Sequence, residues 1–201
     1  MDWQKKTIQT YDDSAQALAE YFKGLGPRVS DIQLGLKLAQ ADENAHVVEI
    51  GCGDGRDAKE IVKQVAWYQG FDPSNGLLEI ARRTLPDTSF VQADALSYDY
   101  PDNLDVVYAF ASLLHVNKND MDEVFTKVGI SLRQSGIFFI SLKERDMYTE
   151  EVKKDQYGER MFYYFNPDII KSLAANHFIT VHEDHQKIGS TDWFTIALKK
   201  K

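Results

Sequence analysis

Three acids in this chain stand where short apolar runs end: Glu49 after Val47-Val48, Asp72 after Phe71, and Asp94 after Phe90-Val91-Gln92-Ala93. Gly51, Gly53 and Gly55 follow the first acid at alternate positions. Glycine serves where a chain must turn sharply or lie close against a ligand, because it has no Cβ. A strand that feeds a helix through such a turn sets backbone N–H groups and a ligand crevice at its carboxyl end. The turn therefore points to a nucleoside-containing ligand.

The neighbouring residues narrow the choice. A dinucleotide turn, Gly-x-Gly-x-x-Gly, needs glycine where Arg56 stands, and no Gly-Lys-Ser/Thr follows for a P-loop. Glu49 would repel a phosphate and welcome a cation. Asp72, at the end of a second strand, can accept from both ribose hydroxyls, as the equivalent acid does in dinucleotide enzymes. Asp94, at the end of a third, is placed for an adenine amino group. A ligand with a ribose, an adenine and a positive charge but no phosphate is S-adenosylmethionine (SAM), with S-adenosylhomocysteine as its product.

Simpler roles compete at several positions. An ordinary strand–helix turn needs one glycine, not three. Asp72 could cap the helix that follows, but Ser74 suits that role better and leaves the acid free. Cys52, the chain's one cysteine, lacks an evident positive partner and reads as a small packed residue. His115 lies just past a fourth strand, where it could act as a general base or simply pack; it is the one catalytic candidate.

The elements that must position these residues follow an alternating pattern. Strands are expected at 47–50, 65–71, 89–92, 105–111 and 137–142. Helices at 57–63, 76–85 and 120–132 separate them, their apolar residues at helical spacing. This rhythm predicts a parallel sheet with right-handed crossovers and helices on both faces. Ahead of it, helices at about 15–25 and 29–41 form a helical cap over residues 1–45. Beyond Leu142, residues 143–160 are charged and aperiodic, a candidate lid over the site. A helix at 167–175 and strands at 178–181 and 193–198, joined by a polar stretch, close the chain. The whole reads as a single domain of 1–201, with its core at 46–201.

Taken together these motifs resemble those of the class I SAM-dependent methyltransferases. Glu49-Ile50-Gly51-Cys52-Gly53-Asp54-Gly55 is similar to their first motif and Gly70-Phe71-Asp72-Pro73-Ser74 to their ribose-binding one. Gln92-Ala93-Asp94-Ala95-Leu96 resembles the adenine-binding segment, and Leu104 through Val116 the fourth strand with a Leu-Leu-His ending common in small-molecule members. Later, Arg160 through Pro167 and Asn176-His177-Phe178 resemble the family's closing segments, with His177 where glycine is frequent. The resemblance implies a doubly wound, three-layer α/β/α fold with a seven-stranded, mostly parallel sheet whose last strand is antiparallel. It also implies cofactor contacts from Glu49, Gly51, Cys52, Gly53, Gly55, Asp72, Pro73, Ser74, Asp94, Ala95, Leu96, Ala109 and Phe110. Asp57 and Tyr11 would lie near the methionine end.

Composition sets the remaining bounds. The net charge of −8 argues against broad nucleic-acid binding, which rests on Lys and Arg neutralising phosphates. Residues 1–7 lack the apolar segment of a signal peptide, and no apolar run is long enough to span a bilayer. A cytoplasmic monomer or homodimer that needs no metal and methylates a small molecule is the expectation. The alternatives are a SAM-binding module that activates a partner without transferring a methyl group, and a nucleic-acid or protein methyltransferase. Against the last, the fourth strand lacks an Asn/Asp-Pro-Pro-Tyr-type sequence and no basic stripe is evident.

Overall fold

The computed structural model describes residues 2–201. Three helices open the chain: α1 (Trp3–Asp13), α2 (Ala15–Leu25) and α3 (Val29–Ala39). The alternating part follows as β1 (His46–Ile50), α4 (Ala58–Ile61), β2 (Trp67–Asp72), α5 (Asn75–Thr84), β3 (Ser89–Gln92), β4 (Leu104–Phe110), α6 (Lys118–Ser131) and β5 (Leu132–Lys143). A hairpin of β6 (Thr149–Asp155) and β7 (Gly158–Tyr164), then α7 (Pro167–Ala174), β8 (Phe178–Ile188) and β9 (Thr191–Lys200) complete it.

Seven strands form one sheet in the order β3-β2-β1-β4-β5-β9-β8, and β6 and β7 form a separate pair. Pairings among β1 to β5 are parallel, while β9 runs antiparallel to both β5 and β8. The expected doubly wound sheet with one antiparallel strand is therefore present. Its central strands are apolar throughout because both faces are covered. Along β4, Val106, Tyr108 and Phe110 pack under α3, α4 and α5, while Val107 and Ala109 point into the opposite layer with α6 and α7. Adjacent residues serve opposite cores, as the twofold side-chain period of a strand demands.

Local signals fix the helix starts. Ser74, Asn117 and Asn166 each accept a backbone N–H at a helix start, from Leu77, from Asn119 and Asp120, and from Ile169. Pro167, with no N–H to lose, begins α7.

Four expectations need correction. The amino-terminal segment holds three helices, not two. Helix α1 gives no apolar signal because its buried residues are Thr7 and Thr10. These threonines bind the backbone of β7: Thr10 Oγ1 donates to Glu159 O at 2.8 Å, and Met161 N donates to Thr7 Oγ1 at 3.0 Å. The helix expected at 57–63 is a single turn. The charged segment 143–160 carries β6 and most of its hairpin, with the two strands in full register from Thr149–Tyr164 to Asp155–Gly158. The polar stretch before Trp193 is extended too. Strand β8 forms the sheet edge and is exposed over nearly all its length, so no apolar alternation marks it.

Helix α3 lies close on the sheet because Gly35 admits the Tyr108 ring, whose hydroxyl donates to Ile32 O at 2.6 Å. A Cβ on Gly35 would sit 2.6 Å from that ring. Gly35→Ala is expected to cost about 1–3 kcal/mol of stability in urea denaturation, an overpacking cost. Gly24→Ala, with nothing within 4 Å, should match or slightly exceed wild type.

Candidate functional site

A cavity of about 1180 Å³ opens at the carboxyl ends of β1, β2 and β4, roofed by the amino-terminal helices and by the β6–β7 and β8–β9 hairpins. Of the residues expected to contact a cofactor, Tyr11, Glu49, Gly51, Cys52, Gly53, Asp57, Asp72, Pro73, Ser74, Asp94, Ala95 and Phe110 line it, as does His115. Leu96 lies instead on a small adjoining cavity of about 60 Å³, shared with Asp94, Ala95 and His115. Gly55 and Ala109 are behind the wall. A Cβ on Gly55 would touch Ala81 at 3.3 Å, so that glycine serves helix packing. Ala109 is fully buried in the core.

The glycine turn is shaped as its sequence requires. Gly51, Gly53 and Gly55 have φ of 70°, 54° and 81°, a region that L side chains rarely adopt. A Cβ on Gly51 would collide with Ser112, whereas one on Gly53 would find nothing nearer than 3.9 Å. The backbone at Gly53 is therefore bare toward the cavity. Ser112 Oγ, buried beside Gly51, has no hydrogen-bond partner among the described residues.

The acids are buried and held. Glu49 is 2% exposed and accepts from Tyr68 Oη at 2.5 Å. Burial, with Asp57 nearby, pushes its carboxyl up to about 8. Asp72 accepts from Gly53 N at 3.0 Å through one oxygen and from Ser74 N at 2.8 Å through the other. Each oxygen keeps a second lone pair for a ligand. Burial raises this group to about 6, against the pull of those two N–H groups. Asp94 turns one oxygen to Leu96 N and Ser97 N, at 2.9 and 2.8 Å, and leaves the other without a protein partner among the described residues. Ser74 does cap α5, and its hydroxyl also donates to Asp12 at 2.7 Å. Asp12 accepts from Gly76 N as well, so α1 is tied to the ribose-side turn.

Asp57 is engaged by Arg28 N at 2.7 Å and by the Arg56 guanidinium at 2.5 Å. Burial and the acids around it raise the Cys52 thiol well above its ordinary range, and its side chain fills the space beside Gly70. It is a packing residue, as its sequence context indicated. His115 has its Nδ1 2.6 Å from Met161 O and its Nε2 2.8 Å from Tyr11 Oη. A carbonyl can only accept, so Nδ1 carries the proton and Nε2 accepts from Tyr11. Burial holds the imidazole down to about 3, hence neutral.

Several lining residues have no counterpart among the sequence candidates. Ser112 and Ala111, the latter at φ 54°, follow β4. Arg28 lies 5.5 Å over the Phe110 ring, and Lys143 and Arg160 enter from β5 and β7. Only Lys143 carried a signal, standing at the end of an apolar strand.

Residues 47–136 match the methyltransferase domain family. That match covers a little under half of the chain and falls on the alternating strands and helices that carry the glycine turn and the three acids. The chain is 29% identical over 99 residues to trans-aconitate 2-methyltransferase of Rhizobium rhizogenes, covering 48% of this chain and 38% of that protein. The chain thus spans well under half the length of that relative. An uncharacterised methyltransferase of Geobacillus is 22% identical over 96% of this chain and 88% of its own. Among solved structures, the 1,6-didemethyltoxoflavin-N1-methyltransferase of Burkholderia thailandensis superposes with a TM-score of 0.73 at 17% identity, over 98% of this chain and 88% of that one. The cyclase SpnF superposes at 0.76 and 15% identity, over 98% and 96%. These superpositions establish the fold. No helix among the described residues is long and apolar enough to cross a membrane.

The buried acids set a pH dependence. Glu49 titrates near 8 in the folded chain and near 4.5 when unfolded, so between those values the native state holds the extra proton. Stability of the ligand-free protein then falls as pH rises through that window. Scanning calorimetry should show the melting temperature dropping from pH 6 to pH 9. Glu49→Gln, which keeps an acceptor for Tyr68, should flatten that slope.

Proposed function

We propose that the protein is a SAM-dependent methyltransferase acting on a small molecule. The observation that carries this reading is the pair of buried acids, Glu49 and Asp72, flanking a glycine turn bared to one large cavity. A phosphate-bearing nucleotide would be opposed by any ionised acid there, while a cationic nucleoside would favour ionisation of both. The chemistry of the lining fits the cofactor along its length. Asp94 keeps a free oxygen for the adenine amino group, and Asp72, oriented by Gly53 N and Ser74 N, is ready for the ribose hydroxyls. Glu49, Asp57 and Tyr11 stand toward the methionyl end, where Arg28 is the cation available to its carboxylate. Ser112 Oγ, buried without a partner, gains one from a ligand.

Bound at this site, SAM supplies an electrophilic methyl group on a sulfonium. The chain's own work is alignment and exclusion of water. The tie from Thr7 and Thr10 to β7 and the tie from Asp12 to α5 hold α1 over the mouth, and its Tyr11 faces His115. His115, held neutral with Nε2 accepting from Tyr11, orients that hydroxyl at the mouth, while its depressed basicity suits it poorly to taking a proton from the methyl acceptor. A roof over the cavity supports a small acceptor over a macromolecular one. The single buried cysteine asks nothing of an oxidising compartment, consistent with a cytoplasmic setting.

The same fold in a protein named as a [4+2]-cyclase keeps a second reading in view, in which this chain binds the cofactor without methyl transfer. Two measurements separate them. Calorimetry should show S-adenosylhomocysteine binding, weakened on the order of tenfold or more in Asp72→Asn, in line with loss of a charge-assisted hydrogen bond. Mass spectrometry of SAM incubated with a panel of small acceptors should then show a methylated product. Binding without any product would favour the second reading, and absence of binding would contradict both.

A further inference from the structure

The far corner of the cavity has the opposite electrostatic character from the glycine turn. Lys143 ends β5, where it pairs with Trp193 of β9, and Arg160 lies on β7 opposite Lys153 of β6. The β6–β7 hairpin and the sheet thus deliver three cations to one place. Lys143 Nζ sits 4.2 Å from the centre of the Phe162 ring and Arg160 Cζ 5.5 Å from the same centre. All four side chains line the cavity.

These charges are incompletely neutralised. Among the described residues Lys143 makes neither an ion pair nor a hydrogen bond; its contacts are the faces of Phe162 and Trp193. Arg160 is 7% exposed, pairs with Asp155 and reaches Tyr11 Oη at 3.4 Å, yet its buried Nε has no acceptor among the described residues. The two acids that act on Lys143 are already engaged, and a third, Asp184, lines the cavity from β8. Asp155 is held by Arg160, and Glu151 is shared between Arg145 and Lys153. Burial and the neighbouring Lys153 and Arg160 depress the Lys143 ammonium to about 8, the direction expected for a cation lacking its counter-ion. A buried cation without a partner is costly, and a bound anion would recover that cost with charge-assisted bonds from a guanidinium fork and an ammonium.

The cofactor does not account for this corner. Arg28 serves the methionyl side, packed on Phe110 and paired with Asp31 at 3.1 Å, next to the glycine turn. Lys143 and Arg160 instead surround Phe162, whose ring centre is 4.8 Å from that of His115. They lie at the acceptor's end of the site.

We propose that Lys143 and Arg160, set around Phe162, form an anion subsite, and that the methyl acceptor is a small organic acid held there by a carboxylate or phosphate group. This rests on the methyltransferase reading for the word acceptor, but the anion subsite can be tested alone.

The test is calorimetric titration of the protein saturated with S-adenosylhomocysteine, using tricarballylate, inorganic phosphate and neutral tricarballylamide as probes. At least one anion should bind and the amide should not, and which anion binds distinguishes a carboxylate from a phosphate acceptor. Lys143→Met should weaken anion binding tenfold or more, Lys143→Arg should restore it, and both should bind S-adenosylhomocysteine within about twofold of wild type. Arg160→Gln should give the same loss; Lys143→Met carries the test should that variant not fold. Failure of both anions to bind, equal binding of the amide, or full binding by Lys143→Met would overturn the proposal. Should S-adenosylhomocysteine itself not bind, the methyltransferase reading fails, and the same comparison on the ligand-free protein still decides the subsite.

Discussion

The constraint on which the site depends is a pair of carboxyl groups buried, without a counter-charge, at the ends of two adjacent parallel strands. Glu49 and Asp72 are 2% and 8% exposed, and neither has a cationic side chain bonded to it among the described residues. The chain manages this with a tyrosine hydroxyl on one acid and two backbone N–H groups on the other. Those hydrogen bonds orient the carboxyl groups without supplying a positive charge. A cationic ligand would supply the counter-charge that both acids lack and let them ionise.

The rest of the architecture makes that arrangement possible. Parallel strands buried on both faces bring their carboxyl ends to one rim, and glycines with positive φ let the chain leave β1 without filling the crevice. The rim is then closed by polar rather than apolar contacts. Thr7, Thr10, Asp12 and Ser14 fasten the start of the chain to β7, the β6–β7 turn and α5. A roof held by hydrogen bonds at its edge leaves its inner face free to line a pocket. The cavity wall divides into an acidic part at the strand ends beside the turn and a cationic part around Phe162.

Much of this is legible in the sequence, and the reason differs by region. The strands of the alternating core are continuous apolar runs because they are covered twice, and their ends are marked by acids and glycines that have a local reason to be there. Residue type and spacing alone thus suffice to place Glu49, Gly51, Gly53, Asp72 and Ser74. They do not suffice for helix α1, since its buried face is threonine, or for the outer part of β8, since an exposed edge strand carries no alternation. Lys143 and Arg160 are hidden differently. Lys143 ends an apolar strand and Arg160 is an ordinary basic residue in a charged stretch, until the β6–β7 hairpin brings Arg160 and Phe162 over Lys143. Gly55 and Ala109 show the converse: each sits within a recognisable motif, yet each serves packing behind the wall.

The most direct test of the account counts protons. Glu49, near 8 in the free protein, is mostly protonated at pH 7 and should ionise when a sulfonium and an ammonium arrive beside it. Calorimetric titration with SAM at pH 7, in buffers of differing ionisation enthalpy, should therefore show a net release approaching one proton in wild type and close to none in Glu49→Gln. Binding heat that is independent of buffer, or no binding of SAM at all, would contradict the account.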